Sequence, residues 1–269
     1  MASGSLNEDP GLFGPHSILW RLNRESAVTL AGTCAILMQF AHPKVAAGVR
    51  DHSHYQVDAA GRLRRTLELT LAIVFGPREA AMQAVRAINA RHHSVRGPGY
   101  SATDPELLLW VHATLVYSAI RGYRALVGPL TDAEADQYYQ DTKEIGVLLG
   151  IPRAIYPERL EALEAYLDEM IDSREVAVGE DARRMADLVL RPSFRGVPRL
   201  AFTPLTVITA GLLPPKLRDG YGLKWGRPQR AAFAACWTAL PRVVAVAPGP
   251  VRLLPPARLA YRRLRLAPG

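Results

Sequence analysis

Apolar residues recur along this chain at intervals of three and four, and convincing runs of alternation are scarce. That spacing marks one face of a helix. The pattern predicts a helix over 20–40, stopped near His42-Pro43 and resumed to Arg50. A second is expected over 61–75, ended by Gly76-Pro77, and a third over 77–96, ended by Gly97-Pro98. Pro77 suits a first helical position, where its missing N–H is not needed. Asp104-Pro105 opens a fourth helix, which Gly128-Pro129 closes. Thr131, with Glu134 three residues on, is a capping-box start for a fifth that ends at Gly150. A sixth covers 157–173 and a seventh 181–190. Beyond them, FTPLTVITAGLLPPKLRDGYGLKWG is apolar but broken by Pro and Gly, and reads as packed helices and turns. The expected class is all-α, one helical domain over 1–269 with a tail from about residue 241. A membrane span needs about 20 predominantly apolar residues. Residues 196–215 are interrupted by Arg199 and Pro204, and 231–240 is too short.

On the third predicted helix, Val85, Ile88, His92 and Val95 share one face. His93 lies with Arg86, Asn89 and Arg96 on a more polar sector. His92 is therefore expected inward and His93 outward. An inward histidine is either a hydrogen-bonded core residue or a ligand. On the second helix, Arg62, Arg65 and Thr66 share a face that continues through Leu69 and Ile73. A cation and a hydroxyl above an apolar stripe need an anion, a ligand or water. The alternative is a surface arginine cluster paired with carboxylates. His112 stands on a stripe with Leu108, Val111, Leu115 and Ala119 and is the competing inward histidine. His52 and His54 with Asp51 resemble a metal cluster but lack the i, i+4 spacing of helical zinc sites.

Composition narrows the classes. Of 269 residues, 49% are hydrophobic and 22% charged, a balance that suits a globular core. Cys34 and Cys236 sit in apolar runs and are expected to be two buried, reduced thiols. The net charge is +8, yet after Asp219 there are nine positive residues and no acidic one. The basicity thus belongs to the C-terminal segment. Its last part, PRVVAVAPGPVRLLPPARLAYRRLRLAPG, has one tyrosine and no interleaved aromatics, so nucleic-acid stacking is not expected. It either packs along the domain with solvated arginines or lies on an anionic membrane. No Gly-x-Gly-x-x-Gly unit, P-loop or Gly-x-Ser-x-Gly elbow is present, which removes nicotinamide, nucleotide and serine-hydrolase readings. MASGSLNEDP has no secretory pattern, so a cytoplasmic location is expected, with peripheral membrane association through the tail as an addition.

Five segments, in order, carry a resemblance: WRLNRESAVTLAGTCAILMQFAHPKVAAGVRDHS, GRLRRTLELTLAIVFG, HHSVRG, DPELLLWVHATLVYSA and AGLLPPKLRDGYGLKWG. The chain resembles the oxygenase family that includes the latex clearing protein (a rubber oxygenase) and the fungal MpaB oxygenase. The resemblance implies a globin-like helical core holding haem b. It implies that His92, in a His-x-x-x-Arg pattern with Arg96, is the proximal iron ligand. Arg62-x-x-Arg65-Thr66 stands where the family has Arg-x-x-Lys-Thr on the distal side. Arg65 replaces a lysine that can reach the iron; a guanidinium stays protonated and is a very poor ligand. The distal position is then vacant or water-filled, or a guanidinium bonds dioxygen or a haem propionate. Arg62 would be a propionate partner, Arg91 and Arg96 further cations, and His42 of AHP a pocket-lining residue. For the family's distal glutamate base, residues 46–51 offer only Asp51. The implied reaction adds dioxygen to, or cleaves, the double bond of an apolar terpenoid or polyketide-like alkene. A non-catalytic haem carrier or sensor, and a cofactor-free peripheral membrane protein, remain open beside it.

Overall fold

The computed structural model describes residues 9–52, 55–192 and 196–267, side chains of 55–60, 62 and 63 excepted. The described helices are α1 (Ile18–Asn23), α2 (Gly32–Phe40), α3 (Pro43–His52), α4 (Tyr55–Phe75), α5 (Arg78–Ser94), α6 (Pro105–Leu126) and α7 (Asp132–Leu148). They continue with α8 (Leu160–Asp172), α9 (Glu180–Leu190), α10 (Thr203–Leu212), α11 (Pro215–Gly220), α12 (Arg227–Val246), α13 (Gly249–Arg252) and α14 (Pro255–Arg263). Two-residue strands β1 (Arg96–Gly97) and β2 (Tyr100–Ser101) pair antiparallel between α5 and α6. The all-α expectation holds, with helix at 73% and strand at 2%.

Helix α6 is the central element. Asp104 caps its first turn by accepting the Glu106 N–H at 3.0 Å, and Pro105 follows. Its Leu109, Trp110, Ala113, Val116 and Ile120 are buried against α2, α7, α8 and the 3₁₀ turn Ser26–Ala31. Gly122 permits the closest of these approaches, because a Cβ there would stand 2.3 Å from the Cβ of Ala31. Helix propensity favours alanine over glycine by about 1 kcal/mol. Overpacking against an inflexible methyl costs about 1–3 kcal/mol. Gly122→Ala is therefore expected to lower the urea midpoint. Gly32→Ala, where a Cβ meets nothing within 4 Å, should leave it unchanged or raise it.

Two predicted boundaries move. The single helix expected over 20–40 is divided into α1, the 3₁₀ turn and α2. Glu25 is extended there (φ −79°, ψ 118°) and almost fully buried. Its carboxylate accepts Arg252 Nε and Nη2, both at 2.9 Å, and Arg24 Nε at 3.3 Å. A buried carboxylate needs such partners, and the partners break the helix. Helix α4 also starts at Tyr55, six residues earlier than the apolar stripe suggested.

The chain beyond 248 folds back onto the N-terminal helices. Leu254 N–H bonds the Arg24 carbonyl at 2.8 Å, Ser26 Oγ the Val251 carbonyl at 2.7 Å, and Arg24 Nη1 the Tyr261 hydroxyl at 3.0 Å. Arg263 donates to the carbonyls of Phe75 and Asp9. Arg252 and Arg263 are thus used internally. Of the two cysteines, Cys34 is buried as expected, while Cys236 on α12 is only half-buried. Among the described residues no helix is long and apolar enough to cross a membrane.

Candidate functional site

Helices α4 and α5 pack as a hairpin turned by Gly76-Pro77. At ~1.5 Å rise per residue, Arg65 stands about 16 Å and His92 about 22 Å from that turn. The two are then about one helical turn apart in height. Along α4 the face changes from exposed (Arg65, Thr66) to half-buried (Leu69) to buried (Ile73). Thr66 lends its carbonyl to Thr70 Oγ1 at 3.0 Å. The side chain of Arg62 lies outside the described residues.

His92 is half-buried near the end of α5, and His93 is exposed, as the apolar face predicts. Burial, and secondarily the neighbouring His93, holds the His92 imidazole below the ordinary histidine range. It is therefore neutral near pH 7, with a ring nitrogen lone pair available. Among the described residues none hydrogen-bonds to its ring. His93 differs, since its Nδ1 donates to the Asn89 carbonyl at 2.7 Å.

The β1–β2 hairpin closes the end of this region. Gly99 takes a positive φ of 78°, which turns the chain at Pro98-Gly99. Tyr100 folds over Gly97, where a Cβ would lie 2.5 Å from its ring. Its hydroxyl donates to Asp51 at 2.8 Å, and Arg50 donates to the same carboxylate at 2.7 and 3.2 Å. His52 Nε2 donates to the Arg96 carbonyl at 2.9 Å, and Arg91 Nη2 to the His52 carbonyl at 3.1 Å. These bonds bring the end of α3 to the end of α5. Arg50, then Tyr100, hold Asp51 well below the usual carboxylate range. Asp51 is thus ionised and engaged, a poor stand-in for a general base. Among the described residues no group of three His, Cys, Asp or Glu is placed to hold a metal. His54 of the Asp51, His52, His54 trio lies outside the described residues.

The other two candidate histidines sit elsewhere. His42 is buried at the α2–α3 junction, its ring 6.3 Å from that of Trp110 and its Nδ1 accepting the Lys44 N–H at 3.3 Å. That ring contact is with α6. His112 is buried edge-on against Tyr156 at 5.5 Å, and among the described residues neither its Nε2 nor the Tyr156 hydroxyl has a hydrogen-bond partner. Burial pushes His112 down to about 4. Unfolded, it titrates near 6.5. Between these values the unfolded chain binds the extra proton, so stability falls as pH drops from about 6.5 to about 4. The contribution is about 3 kcal/mol for a shift of this size. His112→Phe is expected to flatten, in urea titrations at stepped pH, most of the acid loss above pH 4. His42 and His92, also lowered by burial, leave a residual slope.

Residues 20–246 match the family model described as "ER-bound oxygenase mpaB/B'/Rubber oxygenase, catalytic domain". The chain belongs to this oxygenase family. Two curated relatives, uncharacterised proteins of Mycobacterium bovis and Mycobacterium tuberculosis, are each 30% identical over 220 residues, covering 74% of this chain and 81% of theirs. No solved structure matches. The matched span ends with α12, and so leaves out the α13–α14 return.

The residues of this oxygenase-family chain fit a haem in donor chemistry. A haem iron takes its equatorial ligands from the porphyrin and needs one protein imidazole. His92 offers a neutral ring to which no described residue hydrogen-bonds. Exposed Arg91 near the end of α5, Arg96 in β1 and Arg65 on α4 are suited to propionates. Tyr100 and the hairpin escaped the sequence reading, although the Pro98-Gly99 pair signals a turn there.

Proposed function

We propose that this chain is a haem b-dependent oxygenase acting on an apolar, alkene-bearing small molecule of terpenoid or polyketide type. The observation that carries the reading is His92. It is the histidine of the family-like His-x-x-x-Arg pattern, half-buried, kept neutral by burial, and without a hydrogen bond to its ring among the described residues. His112 is the weaker ligand, because Tyr156 already covers its edge within the α6–α7 core. A bound haem would supply the binding and activation of dioxygen. The chain's part is positional and electrostatic. His92 holds the group from α5, and a ring buried enough to stay neutral keeps its lone pair at mildly acid pH. Arg91 and Arg96, with Arg62, receive the propionate charge. Arg65 and Thr66 offer hydrogen-bond donors from α4 on the other side, where the family's lysine and threonine stand. The buried faces of Val85 and Ile73 exclude water and favour an apolar substrate.

A second reading, a non-catalytic haem carrier or sensor, is favoured by one observation. Asp51, the carboxylate that residues 46–51 offer, is tied to Arg50 and Tyr100 and so is not poised to move a proton. One preparation separates the readings: the full chain expressed with haem supplied, its visible spectrum recorded, then oxygen uptake followed with terpenoid and polyketide alkenes. A Soret band with alkene-dependent uptake supports the oxygenase. A Soret band without uptake favours the carrier, and a colourless protein refutes both.

A further inference from the structure

Helix α12 buries none of its side chains. It rests on α6 and α10 along one half-buried edge, Phe233, Cys236, Leu240 and Val244. Those positions are three and four apart, a single narrow stripe. The opposite side is only sparsely charged. It carries alanines at 231, 235 and 239 with Arg242 and Val246, the last 83% exposed, while Val243 (58% exposed) and Trp237 (42% exposed) flank the half-buried edge. The 3₁₀ turn Arg199–Phe202, which packs on α10 as α12 does, adds Leu200 at 82% exposed. Single exposed apolar residues need no explanation, but several on neighbouring elements mark an interaction surface.

The charges on the same helix select the partner. Arg227, Arg230 and Arg242 are exposed, α12 contains no acidic residue, and among the described residues none of the three pairs with a carboxylate. A second copy docked by two-fold symmetry would set this all-positive face against itself. A surface-lying helix with arginines, an aromatic and small apolar residues suits the headgroup layer of a bilayer. Anionic lipid adds attraction at each arginine. We propose that the outward face of α12 is a docking surface for an anionic lipid bilayer. Within the basic C-terminal segment it is this face, not the return beyond residue 248, that meets the membrane, because Arg252 and Arg263 are spent on Glu25 and on backbone carbonyls. This inference does not depend on the haem.

The test is co-sedimentation of the full chain with vesicles of phosphatidylcholine, alone or mixed with phosphatidylglycerol. Binding is expected only with the anionic lipid, and should weaken as salt rises. Arg230→Glu with Arg242→Glu should weaken it by about 25-fold or more, at the energy each arginine contributes near such a surface. Val243→Asp with Val246→Asp should abolish it. Trp237→Phe should still bind but lose the blue shift of emission seen on adding vesicles. Arg262→Glu with Arg265→Glu carries the same charge change on the tail and should cost far less. Because α12 buries no side chain, these variants should keep the parent's unfolding curve, which circular dichroism checks. The proposal is overturned by no binding to anionic vesicles, by equal loss from the tail variant, or by a dimer broken by Val243→Asp in a chain that ignores vesicles. Capture only by an acidic protein would overturn it as well.

Discussion

His92→Ala is expected to purify without a Soret band from cells that give a coloured parent. Changing the group that merely supports a metal ligand typically costs 10–100-fold in affinity. Removing the ligand itself should weaken haem retention by more than about 100-fold on that scale. The structure makes the effect separable from unfolding. His92 is only half-buried and carries no side-chain hydrogen bond to a described residue, so its loss strands no polar group among them. The unfolding midpoint should therefore stay close to that of the parent without haem. His93→Ala should stay coloured, because His93 is exposed and already bonded to Asn89. His112→Phe should stay coloured too. Imidazole in the buffer should return part of the band to His92→Ala. A His112→Phe variant that loses colour while His92→Ala keeps it would transfer the ligand role to α6.

Glu25→Ala should be the most damaging substitution outside the candidate site. It strands the Nε and Nη2 of Arg252 and the Nε of Arg24 around a site where the carboxylate is almost fully buried. Breaking a buried pair from one side costs about 3–5 kcal/mol. Both arginines keep some contact with solvent, which places the loss at the lower end of that range. At about 2–4 °C per kcal/mol for a chain of this size, the thermal midpoint should fall by about 6–12 °C. The double variant Glu25→Ala with Arg252→Ala should recover part of it, since the stranded guanidinium is then gone. A midpoint within about 2 °C of the parent in Glu25→Ala would show that the cluster contributes little.

The regular part of this fold is legible in the chain because its signals are local. The capping box at Thr131 and Glu134 forms as read, and Pro105 and Gly76-Pro77 delimit α6 and the α4–α5 turn. His92 faces inward and His93 outward because a period of 3.6 fixes both from their own helix. What local signals miss is set by partners far along the sequence. Glu25 reads as a surface residue within a helix until Arg252 is brought to it. Asp51 reads as a helix-end acid until Tyr100 folds across Gly97. His42 and His112 both stand on apolar stretches, and only packing separates the one against Trp110 from the one against Tyr156. The cation-rich end of the chain likewise reads as one unit, although α14 is folded inward and α12 is turned out.

The bond between Glu25 and Arg252 spans 227 positions. During synthesis at about 5–20 residues per second, the carboxylate leaves the ribosome tens of seconds before its guanidinium exists. Through that interval the first helical turns cannot settle into their final burial, since an unpaired carboxylate resists desiccation. The turn around Glu25 therefore completes its burial only once α13 has arrived. A nascent chain halted before α13 would expose the apolar seam between α1 and α14, a natural handle for chaperones and proteases that recognise unfinished chains.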